Sequence, residues 1–183
     1  MIVVEDNYLD KEDFAWLQEY CKKQEFKLLD GGDKQFLAIE TPERILDELE
    51  LETHNIIFSF IRKAHKDFDT EPRIHSDGII LDKYTDLASV LYINESEGVS
   101  KNGTMFYDHK ELGQGLPKDV SCEQYNEVLK DSNKFHKFIE TDRVYSRPNR
   151  MLTYDAQNFH AKFPAQIQQG ERIVLVTFYE ENR

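Results

Sequence analysis

A histidine followed two residues later by an aspartate occurs twice in the chain, at His65-Lys66-Asp67 and at His75-Ser76-Asp77. Imidazole nitrogen and carboxylate oxygen are both good ligands for a divalent metal. With 6 His and 16 Asp in 183 residues, chance alone gives about half a match, so the element bearing each pair must decide between them. His65 and Asp67 fall in a stretch whose apolar spacing reads as helix, where residues two apart point to nearly opposite sides and cannot share an ion. His75 and Asp77 fall in a segment that reads as strand, where residues i and i+2 share a face. Gly78 follows and lets the chain turn away.

A metal needs a third ligand. His160, in Asn158-Phe159-His160-Ala161-Lys162-Phe163-Pro164, opens a late strand and supplies it, with His109 as the alternative. Two His and one carboxylate hold one face of an octahedron and leave three positions open for co-substrate and O₂, the arrangement of non-haem Fe(II) oxygenases. The last strand places Arg172, Val174, Val176 and Phe178 on one face and Ile173, Leu175, Thr177 and Tyr179 on the other. Both faces are mainly apolar, so Arg172 enters a buried strand and needs an anionic partner. That partner is either an acidic side chain or the carboxylate of a ligand held in a two-pronged pair.

The elements that must position these groups change character along the chain. Residues 1–70 read as a helical support region with short strands. Asp10 is an N-cap for a helix marked by Phe14, Leu17 and Cys21. Gly31-Gly32-Asp33 is a turn, and Thr41-Pro42 opens a second helical stretch carrying Ile45, Leu46, Leu49, Ile56, Ile57, Phe60, Ile61 and Ala64 out to about Phe68. From 71 to 180 strands are expected near 73–77, 79–84, 88–94, 103–109, 143–147, 150–154, 159–163 and 172–180. About eight strands with no helix alternating between them predict a mainly β fold with N-terminal helices (α+β), an antiparallel jelly roll or barrel. Residues 110–140 interrupt the strands as an insertion, with a helix expected over 121–138 and the role of a lid or a solvated excursion. Tyr84, Tyr107, Tyr145 and Tyr154 read as sheet residues with a polar tip.

Composition narrows the partners. The chain has 35 acidic and 23 basic residues, a formal net charge of −12. Residues 1–70 carry −8 of that and residues 71–183 carry −4. An extended grip on nucleic acid or an anionic membrane surface is therefore not expected. The N-terminus lacks the basic and apolar regions of a signal peptide, and no run approaches the roughly 20 apolar residues of a membrane span. Cys21 and Cys122 make no disulfide framework and read as free thiols in a reducing, cytoplasmic setting.

In sequence order, these residues resemble the Fe(II)- and 2-oxoglutarate-dependent dioxygenases, most closely the prolyl 4-hydroxylase-like branch. The likeness is carried by His75-Ser76-Asp77, Tyr92-Ile93-Asn94, Asn102-Gly103-Thr104, His160 with Pro164, and Gly170-Glu171-Arg172, and it covers about residues 71–180. The resemblance implies a double-stranded β-helix, a cupin-like jelly roll, with His75, Asp77 and His160 ligating Fe(II). It implies that 2-oxoglutarate chelates the iron, that Arg172 and Tyr92 hold its far carboxylate, and that Val90 lines the pocket. The reaction implied is hydroxylation of an unactivated C–H bond using O₂, with release of succinate and CO₂ and with ascorbate as an accompanying reductant. Asp77 as a ligand favours hydroxylation over halogenation. Asn102 replaces the first Gly of the family's usual pair, and the 110–140 insertion has no standard counterpart. The substrate class implied is a peptide, with peptidyl proline first, or a small molecule. Two other readings of the same residues are a non-catalytic jelly-roll ligand-binding module and a cupin-like metalloenzyme that does not use 2-oxoglutarate.

Overall fold

A computed structural model describes residues 1–30, 35–67, 73–94, 102–167 and 170–182. Twelve strands are present among them. The first five are β1 (Ile2–Asp6), β2 (Lys27–Asp30), β3 (Gln35–Glu40), β4 (His54–His65) and β5 (Ile79–Ile80). They are followed by β6 (Lys83–Tyr84), β7 (Leu87–Tyr92), β8 (Gly103–His109) and β9 (Phe138–Tyr145). The last are β10 (Arg150–Asp155), β11 (Phe159–Phe163) and β12 (Glu171–Glu181). Seven of them form a major sheet in the order β1-β10-β7-β12-β4-β3-β2, and β11-β8-β9 form a minor sheet. All pairings are antiparallel. The fold is the expected jelly roll.

Alternation along the central strands sorts the core into layers. One face of the major sheet carries Phe60, Ala88, Val90, Tyr92, Leu152, Tyr154, Val174 and Phe178, which pack with Phe106 of the minor sheet. The other face carries Ile61, Leu91, Met151 and Leu175, which pack against helix α1 (Lys11–Lys23) and the short helix α2 (Glu43–Leu46) through Leu17, Cys21 and Ile45. The minor sheet is also buried on both sides: Met105, Tyr107, Phe159 and Ala161 face Leu116, Val120 and Phe138. Helix α1 begins as its sequence dictates. Asp10 accepts from the Asp13 amide at 2.8 Å, and acids in the first turn and lysines in the last suit the helix dipole.

The helical reading of residues 54–65 is overturned, and its expected end at Phe68 lies outside the described residues. Residues 54–65 are strand β4, which pairs along nearly its whole length with β12, so β4 joins β1–β3 in the major sheet while α1 and α2 pack on that sheet as its helical support. The reason is that β4 buries side chains on both faces, Phe60 on one and Ile61 on the other. A doubly buried strand has no clean period of two, and its apolar positions then mimic helical spacing. A register shift opposite Phe178 and Tyr179 breaks the alternation further. The content of Ile and Phe in Ile56-Ile57-Phe58 was the usable strand signal. The expected Gly31-Gly32-Asp33 turn lies outside the described residues.

Smaller departures follow from local chemistry. The expected strand at 73–77 is a single bridge at His75, and 79–84 is a hairpin whose turn residues Leu81 and Asp82 have positive φ. In the insertion, helix α3 (Cys122–Leu129) is closed at its start by a reciprocal Ser121–Gln124 capping box. It ends at Leu129, short of Phe138, and beyond it Lys134 and Lys137 both pair with Asp131. No described helix is long and apolar enough to cross a membrane.

Leu175 is fully buried between the major sheet and the helical layer. Leu175→Ala is expected to destabilise the chain by about 2–5 kcal/mol in urea unfolding; a loss under ~1 kcal/mol would contradict this packing.

Candidate metal centre

Two segments that are 85 positions apart meet at the site. His75 donates its backbone N–H to the His160 carbonyl at 3.0 Å, and His160 returns the bond at 2.8 Å. The next contact continues the pairing, with the Asp77 amide donating to Ala156 at 2.7 Å and Ser76 Oγ donating to the same carbonyl. The insertion grips the segment from its other side. Tyr125 Oη donates to the Ser76 carbonyl at 2.6 Å, and the Ile74 amide donates to Ser132 at 2.9 Å. The His75–Asp77 segment is thus fixed by backbone bonds although it is no regular strand.

Each imidazole is turned the same way. His75 Nδ1–H donates to the Arg73 carbonyl at 2.8 Å, and His160 Nδ1–H donates to the Asn158 carbonyl at 3.0 Å. Both bonds leave Nε2 to face inward, the second-sphere arrangement that orients a metal-binding histidine. His75 Nε2 lies 3.5 Å from Asp77 Oδ1, and His160 Nε2 lies 3.2 Å from Asp77 Oδ2. The three ligand atoms all lie within 4.8 Å of one another. Burial, then the neighbouring His160, pushes the His75 imidazole down to about 3, so it is neutral and ready to coordinate. Burial alone would raise the Asp77 carboxyl; His160, His75 and the Tyr154 hydroxyl outweigh it and hold it at about 2. Burial also works against a charged His160, and Asp77 more than offsets this, raising it above the ordinary histidine value. A buried carboxylate left without a cation costs several kcal/mol. Here a proton on His160 meets that need, or a divalent metal does. The donor set therefore fits a metal held by His75, Asp77 and His160.

Tyr154 belongs to this group, although its place in the sequence marked it only as a sheet residue. Its hydroxyl lies 3.0 Å from both Asp77 Oδ2 and His160 Nε2. The available signal was its position on β10, two residues before the Ala156 that pairs with Asp77.

The metal group opens on a cavity of about 90 Å³ between the sheets, several times the room one water needs. Val90, Val174, Val176, Phe60 and Phe178 form its apolar wall, and Arg172 is in it, 7% exposed. Tyr92 is placed differently. Its ring is fully buried under the Arg172 guanidinium, 5.6 Å from it, and its hydroxyl shares a 2.8 Å hydrogen bond with Thr104 Oγ1. Thr104, which the sequence analysis gave no role beyond the expected 103–109 strand, lines the cavity in its stead.

The remaining histidines are elsewhere. His109 lies in the outer core, its Nε2 3.5 Å from Asp131 and its ring edge-on to Phe138. His65 ends strand β4 rather than lying on a helix, with Asp67 in the following turn at 3.8 Å. The metal-capable group found among the described residues is the one at His75. No residue of the 110–140 insertion lines the cavity; the insertion's contact with the site is the Tyr125 and Ser132 grip.

Titration with Ni(II) is expected to show one tight site that His160→Ala abolishes. Tyr125→Phe should weaken it by about tenfold, the usual size of an outer-shell effect. Metal must displace the proton from His160, so affinity should fall as pH drops below that group's raised pKa. Unchanged binding by His160→Ala would rule out the ligand set.

Among solved structures, the same fold is found in non-haem iron, 2-oxoglutarate-dependent enzymes. It is similar to the alpha-ketoglutarate-dependent carbocyclase SnoK from nogalamycin biosynthesis, with TM-score 0.67, 14% identity, and 97% of this chain and 78% of that one covered. It is similar to HygX from Streptomyces hygroscopicus with nickel, 2-oxoglutarate and hygromycin B bound, with TM-score 0.59, 10% identity and coverage of 97% and 82%. A Pseudomonas putida prolyl-4-hydroxylase gives TM-score 0.54, 13% identity and coverage of 100% and 93%. At these identities the likeness is one of fold. No curated protein sequence matches the chain. A sequence family does match, over residues 40–174, from strand β3 through His75, Asp77 and His160 to Val174, and the chain belongs to it: the family of unknown function DUF6445.

Proposed function

We propose that the chain is an Fe(II)- and 2-oxoglutarate-dependent dioxygenase that hydroxylates an unactivated C–H bond. The observation that carries this is the orientation of the site. Two imidazoles commit Nδ1 to backbone carbonyls and turn Nε2 toward one buried carboxylate, at the end of a cavity walled by a buried arginine. Bound iron with 2-oxoglutarate supplies the oxidising chemistry: one atom of O₂ enters the substrate C–H bond as hydroxyl, the other enters succinate, and CO₂ leaves.

The chain's own residues supply positioning. His75, Asp77 and His160 hold the metal on one side and leave the cavity side open. Arg172 offers a guanidinium to the far carboxylate of 2-oxoglutarate, and Tyr92 supports that guanidinium from beneath. Val90, Val174 and Val176 exclude water from the space between. Tyr154 Oη donates to Asp77 and fixes the carboxylate that completes the ligand set. Peptidyl proline as the substrate rests on the sequence resemblance. The structural neighbours include a prolyl-4-hydroxylase, a carbocyclase from nogalamycin biosynthesis and HygX with hygromycin B bound, so a small-molecule substrate stands beside a peptide one.

Anaerobic addition of Fe(II) and 2-oxoglutarate is expected to give the visible charge-transfer band of the chelate. Arg172→Ala should weaken 2-oxoglutarate binding by at least about tenfold, the size of a lost charge-assisted pair, with metal binding kept. A band formed equally well by Arg172→Ala would overturn the co-substrate assignment. A metal site that binds no 2-oxoglutarate at all would favour a cupin-like metalloprotein.

A further inference from the structure

Aromatic rings of the major sheet form a row that leads out of the metal cavity. Phe178 on β12 and Phe60 on β4 line the cavity wall, with ring centroids 6.3 Å apart. Phe60 is the hub. Phe58, two residues earlier on the same strand face, stacks on it at 5.3 Å, and Phe36 of β3 lies 5.5 Å from it. Strand register sets this order: Phe178 stands opposite Phe58, and Leu29 of β2 stands opposite Phe36. The row therefore crosses four neighbouring strands on the cavity face, from β12 to the sheet edge at β2.

Its far end is open to solvent. Phe60 and Phe178 are buried, whereas Phe58 is 38% and Leu29 is 40% exposed. The pairing of β3 ends at Glu40, opposite Phe60, and β4 runs on without it past Ser59 and Phe58. A cleft of about 390 Å³ lies there, lined by Phe58, Phe60, Ala38 and Leu29 together with Tyr20 of α1. Phe60 thus lines both the cleft and the metal cavity. Among the described residues, none from the minor sheet lines the cleft. Apolar surface left in contact with water forgoes the stabilisation of burial, and such patches mark ligand-binding grooves. The volume falls in the range of roughly 300–1,000 Å³ that small-molecule sites occupy. Tyr20, Phe58 and Phe60 give the cleft three rings. An aromatic ligand gains from offset-stacked or edge-on contacts with them, beyond what burial alone supplies.

We infer that the substrate is a small molecule with a planar aromatic ring system. The ring system lies against Phe58 and Phe60 in this cleft, and the part that is hydroxylated extends past Phe60 into the metal cavity. This rests on the dioxygenase reading and names the substrate class within it.

A matched pair of probes tests it. 2-Naphthylmethanol and decahydro-2-naphthylmethanol share one carbon skeleton, and only the first is planar and aromatic. The saturated compound is the more apolar, so burial alone favours it. Protein loaded with Mn(II) and 2-oxoglutarate is titrated with each, without O₂, by isothermal calorimetry. The naphthyl probe is expected to bind about two- to tenfold tighter, the size of an aromatic pair contact. Phe58→Leu, which keeps an apolar side chain at an exposed position, should erase that preference, and Phe58→Trp should keep it. Because the cleft adjoins the metal cavity, Mn(II) should broaden the naphthyl proton lines relative to Zn(II)-loaded protein. Equal or weaker binding of the naphthyl probe, a preference that survives Phe58→Leu, or lines that Mn(II) leaves sharp would each overturn the inference. Failure of the charge-transfer band with Fe(II) in wild-type protein would instead overturn the dioxygenase reading. The calorimetric preference and its dependence on Phe58, measured without metal, then still decide whether the cleft takes an aromatic ligand.

Discussion

The reciprocal backbone pair between His75 and His160 is the constraint on which the site depends. Two hydrogen bonds, of 3.0 and 2.8 Å, tie a loop to the first residues of β11 and bring two imidazoles from distant parts of the chain side by side. Their ring centroids are 4.5 Å apart. Without that pairing the loop would lack a partner for its buried amides, and Asp77 would have no fixed relation to either ring. The neighbouring bond from Asp77 to Ala156 extends the pairing, and Tyr154 closes the group by reaching Asp77 from β10 of the facing major sheet. A candidate metal site with two of its three residues in a loop is made precise here by main-chain bonds rather than by the loop's own packing.

The sheets explain how such a site stays enclosed. Each central strand of the major sheet spends one face on the helical layer and the other on the cavity. On β12, Leu175 is packed beneath the helices while Arg172, Val174, Val176 and Phe178 look inward. The minor sheet does the same with β11, where Phe159 and Ala161 meet the outer core and His160 and Lys162 face inward. The insertion contributes to that outer core through Leu116 and Val120 and grips the back of the ligand loop through Tyr125. It acts on the site from behind, by holding the segment that carries two ligands.

Much of this was legible in the sequence, for physical reasons that differ from residue to residue. The strands bearing His160 and Arg172 alternate cleanly between cavity and core, so their inward residues could be read by counting in twos. His75 and Asp77 were found by the same count, although their segment pairs through one bridge rather than a ladder. Strand β4 was misread because it is buried on both faces and bulged, which erases the period that distinguishes strand from helix. The rejection of His65 and Asp67 rested on that misreading; what sets them apart is that they sit at a strand end facing no third ligand among the described residues. Tyr154 and Thr104 were missed because their roles come from the packing of one sheet on another, which leaves no local mark.

The most direct test is a crystal structure of the protein grown anaerobically with Mn(II) and 2-oxoglutarate, with the metal located by anomalous scattering. The account predicts one metal peak bonded to His75 Nε2, His160 Nε2 and an Asp77 oxygen, with the 2-oxoglutarate chelating it and its far carboxylate on Arg172. A metal bound away from these three residues, or a 2-oxoglutarate that does not reach Arg172, would contradict it.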